Sequence, residues 1–285
     1  MSFIVTTGAT GQLGGRIARL LAARGVRQRL VSRHAAERAP AYEGAVAVSA
    51  SYGDPAAMRG ALDGASTVLF VSAGESEDRL AQHRTFVNAA RDAGVSHLVY
   101  VSFYGAAPDA TFTLARDHWA TEQYIRDSGL PFTFLRDDLY ADFLLALAGD
   151  DDVIRGPAGQ GRVAAVAQDD IAEAAVTVLL RPQEHEGATY DLTGPEALTL
   201  DEVAATLTRA TGRTITYRPE TAEEAYASRA VYDAPAWQVE AWVSTYLAIA
   251  AGELEGVSGD VPALTGHPAT SLEDLLARRS TGAGE

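Results

Sequence analysis

Short apolar runs rich in β-branched and aromatic residues recur along the first half of the chain, each followed by a stretch with apolar residues at helical spacing. Phe3 to Val5, Gln28 to Ser32, Val46 to Ser49, Thr67 to Ser72, residues 97 to 103 and Phe132 to Leu135 are predicted to be strands. Leu13, Ile17, Leu20 and Leu21 share one face of a predicted helix over 12–23, and 56–62, 78–93 and 112–128 read as further helices. Strands that are apolar throughout need cover on both faces, so their alternation with helices predicts an α/β fold with a Rossmann-like, doubly wound parallel sheet. Beyond Asp137 the pattern weakens. Helices are expected over 138–148, 168–180, 199–211 and much of 220–253, with a strand at 188–192 and a short extended piece at 215–217. Thr199 followed by Glu202 predicts a capping box. The expected organisation is a core over 1–136 and a smaller, mainly helical region over 137–285, of which about 163–195 returns to the core. Residues 280–285 are expected to fray.

The first strand ends at Gly8, and Gly11 and Gly14 follow at GxxGxxG spacing. The first glycine permits a tight turn, the second lets a pyrophosphate approach the backbone, and the third lets the helix pack on the strand. The helix N-terminus then offers unpaired N–H groups and the positive end of its dipole. Gly8, Thr10, Gly11, Gln12, Leu13 and Gly14 are therefore candidate cofactor residues. The second strand closes on Ser32-Arg33-His34, without the carboxylate that would bind the ribose of NAD. Arg33 favours a 2′-phosphate, so NADPH is the expected cofactor. Ser72 and Ser102, at the ends of the fourth and fifth strands, are further cofactor candidates.

Composition narrows the partners. The chain has no cysteine, which removes disulfide and thiolate chemistry, and its six histidines lack metal-binding spacing. Twenty-three basic against thirty-eight acidic residues leave a net charge of −15, unsuited to a phosphate backbone, so no nucleic acid is expected. No apolar run is long enough to span a bilayer and no signal peptide is legible, so a cytoplasmic monomer or homodimer without membrane contact is expected.

Taken in order, TGATGQLGG, VSR, SYGD, AARDAGVSHLVYVS, HWATEQYIRDSGLPFTFLR, LYADF, YDLTG and GHPATSLEDLL resemble the atypical short-chain dehydrogenase/reductases of the NmrA-like group over nearly the whole chain. The resemblance implies an NADP cofactor, a small C-terminal substrate domain and aromatic or quinonoid substrates. Ser51 and Asp137 stand where that group commonly carries Asp and Asn.

The wider superfamily uses a YxxxK pair on the helix after the fifth strand, and the matching positions here are Leu114 and His118. Hydride addition to a simple ketone leaves an alkoxide with a pKa of roughly 16, whereas a quinone leaves a phenolate-like anion near 10. The difference is on the order of 8 kcal/mol that no acid need supply. A chain without the tyrosine is thus expected to reduce acceptors that stabilise their own charge: quinones, triarylmethyl cations, or polycyclic aromatic polyketide ketones of the angucyclinone type. His118 and Tyr104 are the candidate catalytic residues, with His118 also able to hold the cofactor ribose or to pair structurally with Glu122. Phe103, Asp137 and Tyr140 are candidate substrate contacts, with Trp119 and Trp237 as further aromatic walls. A non-catalytic nucleotide sensor of the NmrA type is the alternative.

Overall fold

The computed structural model describes residues 3–282. Its strands are β1 (Ile4–Thr7), β2 (Gln28–Ser32), β3 (Ala45–Ser49), β4 (Thr67–Val71), β5 (His97–Phe103), β6 (Phe132–Asp137), β7 (Val153–Gly156), β8 (Arg162–Val163), β9 (Thr189–Leu192), β10 (Leu198–Thr199) and β11 (Thr216–Pro219). Its helices are α1 (Gln12–Ala23), α2 (Ala35–Arg38), α3 (Pro55–Leu62), α4 (Arg79–Asp92), α5 (Thr113–Asp127), α6 (Ala141–Leu144), α7 (Gln168–Leu180), α8 (Leu200–Thr211), α9 (Ala222–Arg229), α10 (Ala236–Ala250), α11 (Asp260–Thr265) and α12 (Leu272–Gly282).

Seven strands form one sheet in the order β3-β2-β1-β4-β5-β6-β9, the doubly wound arrangement expected from the alternating pattern. Ile4 lies opposite both Gln28 and Thr67 in parallel register, so β1 has β2 on one side and β4 on the other. The chain order reverses at β1, and the crevice beyond the C-terminal ends of such strands is where this architecture receives ligands. The far edge is added by β9, where Phe134 N donates to Ala188 O and Asp138 N to Leu192 O.

The described chain divides into two compact units. The first contains residues 1–103, 117–136 and 171–190; the second contains 104–116, 137–170 and 191–285. Residues 104–116 are thus drawn out of the expected 1–136 core, and the returning segment is 171–190 rather than 163–195. The first unit is centred on an aromatic stack in which the rings of Phe70 and Phe86 lie 4.1 Å apart, with Tyr100 5.0 Å from Phe70. Ile17, Ala18 and Leu21 bury the face of α1 that the apolar spacing marks.

The expected helix over 138–148 is shorter. The carboxylate of Asp138 accepts from Leu139 N at 2.6 Å, and Tyr140 pairs with Val166 as an isolated bridge. These bonds keep 138–140 out of the helix, so α6 starts only at Ala141 and passes into a 3₁₀ turn over Leu145–Ala148. The fraying expected over 280–285 does not hold for 280–282, which α12 carries to Gly282; residues 283–285 lie outside the described residues.

Candidate functional site

The glycine turn joins β1 to α1. Gly8 adopts φ +62°, a conformation that favours glycine, and its α-carbon faces Val71 of β4. A Cβ on Gly14 would overlap the carbonyl of Gly8 and lie 2.7 Å from Thr7 O, so helix and strand approach as closely as backbone permits. Gly11 is less constrained, with Gly8 O 3.2 Å from where its Cβ would be. Gly11 N donates to Gly8 O at 2.8 Å, and Gly11 caps α1 without any side-chain hydrogen bond. The first-turn N–H groups of Gln12, Leu13 and Gly14 are left for an external acceptor. Thr10 donates to Ser32 Oγ at 3.0 Å, tying the turn to the end of β2. Arg33 is exposed and has no acidic partner among the described residues; Glu37 instead approaches His34 at 3.9 Å. An uncapped helix start, a helix that Gly14 lets pack directly on the end of β1, and an exposed guanidinium at the end of β2 fit the phosphates of NADP(H).

Tyr52, which follows Ser51, braces this end of the sheet. Its hydroxyl lies 2.7 Å from both Thr7 Oγ1 and Val71 O, and Val71 N donates to the same Thr7 oxygen at 2.9 Å. Sequence reasoning passed over Tyr52 and Thr7 because their partner strand is distant in the chain. Half-buried Ser72 directly follows this braced strand end.

Ser102 and His118 are placed differently from expectation. Buried Ser102 donates to Glu122 Oε1 at 2.6 Å, so its hydroxyl proton is committed to a carboxylate within the fold. Glu122 also receives a two-pronged ion pair from Arg136, at 2.8 and 2.6 Å. His118 does not pair with Glu122. Its Nε2 lies 2.8 Å from Arg79 Nη2, and its Nδ1 lies 2.9 Å from the Tyr100 hydroxyl. Arginine only donates, so Nε2 is the acceptor and Nδ1 carries the proton. Burial, reinforced by the positive charge of Arg79, holds His118 neutral well below the usual imidazole range. Both ring nitrogens are occupied, which corrects the expectation of His118 as proton donor or ribose ligand: in this arrangement it is a buried structural group. Phe103, also buried, packs its ring 6.0 Å from the same imidazole.

Arg79 and His83, which sequence reasoning did not single out, hold the loop that follows β4. Arg79 Nε donates to Ala73 O at 3.0 Å, while Ala73 N donates to His83 Nε2 at 2.9 Å. The proton on His83 Nδ1 faces Thr121 Oγ1 at 2.8 Å, and Thr121 donates onward to Asp117 O. One residue is thus gripped by both its N–H and its C=O.

The second unit carries Tyr104, Asp137 and Tyr140. Tyr104 N donates to Asp137 O at 2.8 Å. The Tyr104 side chain is half-buried, and its hydroxyl occupies the space a Cβ on Gly256 would need. Burial raises its pKa, with Asp191, Asp138 and Glu255 adding to the effect. Asp137 is only 3% exposed, and its Oδ2 is buried without a hydrogen-bond partner among the described residues. Burial pushes the Asp137 carboxyl well above the usual range and that of Asp138 up to about 7. Adjacent acids at the end of an apolar strand, as in LRDD, are the signal that would have marked Asp138.

Among the described residues no cluster of side chains is suited to a metal ion, and no helix is long and apolar enough to cross a membrane. The parallel sheet, the close packing of α1 on β1 at Gly14 and the uncapped helix start define a Rossmann-type dinucleotide-binding protein. The chain belongs to the NmrA-like family, whose model matches residues 1–242. It is 34% identical to quinone oxidoreductase 2 of Escherichia coli over 280 residues, covering 96% of this chain and 97% of that one. A crystal structure of the E. coli NADPH-dependent quinone oxidoreductase complexed with NADPH superposes with a TM-score of 0.87 at 31% identity, covering 98% of this chain and all of the other. Triphenylmethane reductase of Citrobacter sp., complexed with NADP(H), gives a TM-score of 0.83 at 32% identity, covering 96% and 99%.

Proposed function

We propose that this protein is an NADPH-dependent reductase that transfers hydride to a bulky aromatic acceptor, with a quinone as first candidate and a polycyclic aromatic ketone of the angucyclinone type as second. The observation that carries the reading is the turn from β1 into α1: an uncapped α1 start held against the strand by Gly14, with an exposed Arg33 that has no acidic partner among the described residues at the end of β2. Gln12, Leu13 and Gly14 would hold the pyrophosphate through their N–H groups, Arg33 the 2′-phosphate, and Ser72 would lie beside the cofactor. NADPH supplies the hydride; the protein contributes orientation and electrostatics. The relatives named above, which reduce quinones and triphenylmethane dyes, support the substrate class. The absence of the YxxxK pair, with Leu114 at the tyrosine position, points the same way, because such acceptors carry their own developing charge. Phe103, Asp137 and Tyr140 are proposed to contact the acceptor. The net charge of −15 argues against a nucleic-acid partner.

The test is oxidation of NADPH in the presence of a panel of quinones, triarylmethyl dyes and polycyclic ketones, followed by the loss of reduced-nicotinamide absorbance. Turnover with an aromatic acceptor supports the reading. Tight NADPH binding without turnover on any of them would leave a nucleotide-binding protein without reductase activity.

A further inference from the structure

The strand order reverses at β1, which has β2 on one side and β4 on the other, and a dinucleotide lies across such a reversal with one half on each side. With its 2′-phosphate at Arg33, beyond β2, the adenosine half takes the β2 side, and the nicotinamide half falls to the side of β4 and β5. Residues 72–78, the loop between β4 and α4, border that second side. The loop starts beside the glycine turn, since a Cβ on Gly8 would lie 3.3 Å from the Cβ of Val71, the last residue of β4. We propose that Arg79 and His83 are positioning residues for the nicotinamide half of NADPH, fixing the main chain at Ala73 before the cofactor arrives. This rests on the cofactor placement proposed above.

The grip is a matter of two peptide groups within the first unit. The N–H of half-buried Ala73 donates to His83 Nε2 at 2.9 Å, and its C=O accepts from Arg79 Nε at 3.0 Å. Each bond orients one of the two planar peptides that flank the Ala73 α-carbon, so the pair sets both of its backbone dihedrals. Packing alone does not do this. Gly74, the next residue, is exposed and has open space around its α-carbon.

Both gripping side chains are anchored outside the loop. Buried Arg79 pairs through Nη1 with Asp117 Oδ2 at 3.3 Å and through Nη2 with His118 Nε2 at 2.8 Å, and His118 is held in turn by the Tyr100 hydroxyl of β5. His83 Nδ1 donates to Thr121 Oγ1 at 2.8 Å, whose own proton goes to Asp117 O, so Nε2 is left as the acceptor. Burial, with the charge of Arg79 adding to it, lowers His83 to about 2 and keeps that nitrogen unprotonated. The Phe70 ring meets the imidazole edge-on at 5.1 Å and fixes its plane. Burying a guanidinium is costly unless its donors are met, and one of these is spent on a loop carbonyl. Covering an apolar sheet with a helix does not call for that. A loop already ordered in the free protein spares the bound state the cost of ordering it.

Two nucleotides separate positioning from a general loss of fold: 2′,5′-ADP carries the adenosine half alone, and NADPH carries both halves. Arg79→Met and His83→Leu are expected to weaken NADPH by about tenfold or more in calorimetric titration, and 2′,5′-ADP by less than about threefold. His83→Gln supplies an amide oxygen for the Ala73 N–H and is expected to return NADPH affinity to within about threefold of wild type. In the wild-type protein without cofactor, hydrogen exchange at the Ala73 amide is expected to be about a hundredfold or more slower than in an unstructured peptide; this arm decides if the variants do not fold. Parallel losses on both nucleotides, no loss on NADPH, or a folded His83→Gln as weak as His83→Leu would each overturn the proposal. So would fast exchange of that amide in the free protein, with protection appearing only when NADPH is added. A wild type that binds NADPH yet reduces no aromatic acceptor sinks the reductase reading and not the positioning, because every arm reads binding or exchange. One that does not bind NADPH overturns both.

Discussion

At the scale of single residues, the three glycines of the opening turn are not equivalent. Gly14 has no room for a methyl group against the backbone of Gly8 and Thr7, whereas Gly11 would need only a few tenths of an ångström. Gly14→Ala is therefore expected to weaken NADPH binding by tenfold or more, about 1.4 kcal/mol, and Gly11→Ala by clearly less. Fluorescence titration of NADPH against both variants checks this; equal affinities would remove the steric distinction. Arg33, exposed at the end of β2, is expected on replacement by Asp to shift preference from NADPH towards NADH, read as the ratio of the two dissociation constants. These features were legible in the sequence because they depend on neighbours a few residues away. His118 was not. Its partners, Tyr100 and Arg79, lie 18 and 39 positions back, on β5 and α4, and only the packed fold shows that they satisfy both of its nitrogens. A histidine on an amphipathic helix looks the same in sequence whether it faces a substrate or an arginine.

At the scale of elements, α4 does more than cover the sheet. Arg79, at its first turn, is 3% exposed and bonds to Ala73 O, Asp117 and His118, so the β4–α4 loop, α5 and the imidazole depend on one guanidinium. Arg79→Met is expected to cost about 2 to 4 kcal/mol, because it leaves the half-buried Ala73 carbonyl and a buried imidazole nitrogen without a donor. Urea unfolding measures the loss. An effect below about 0.5 kcal/mol would mean that water replaces the guanidinium. The capping box at the start of α8 gives a smaller benchmark: Thr199 accepts from Glu202 N and Glu202 returns the bond to Thr199 N, so Thr199→Ala is expected to cost about 1 kcal/mol in the same assay. That box was readable directly as a local pattern. In contrast, β7 pairs with β11 some sixty residues later, Val153 opposite Thr216, and four residues of VIRG carry no periodicity that would announce it. The helix expected over 138–148 begins late for a related reason: the Asp138 side chain bonds Leu139 N and Tyr140 bridges to Val166, so the backbone is engaged elsewhere until Ala141.

At the scale of the whole molecule, buried titratable groups of opposite tendency set the dependence of stability on pH. Burial lowers His83 to about 2 and His97 to about 4, and His118 is also held neutral. Unfolding lets these histidines take up protons near pH 6.5, so their contribution falls as pH drops below that value, reaching its floor for His97 near pH 4 and for His83 near pH 2. Asp138 works in the reverse sense. Its folded pKa of about 7 lies above the ordinary carboxyl value near 3.9, so its destabilising effect is absent in acid, grows as pH rises through that interval, and is complete above pH 7. About three units at 1.4 kcal/mol each set an upper bound on the order of 4 kcal/mol. Asp138→Asn keeps an oxygen for the Leu139 N–H while removing the charge. Relative to wild type, the variant is expected to gain about 3 kcal/mol more stability at pH 8 than at pH 5, and the measurement is urea unfolding of both proteins at the two pH values. The histidines cancel in this comparison because they are common to both chains. A difference that stays constant between pH 5 and pH 8 would show that Asp138 titrates as an ordinary carboxylate and that burial does not suppress its ionisation.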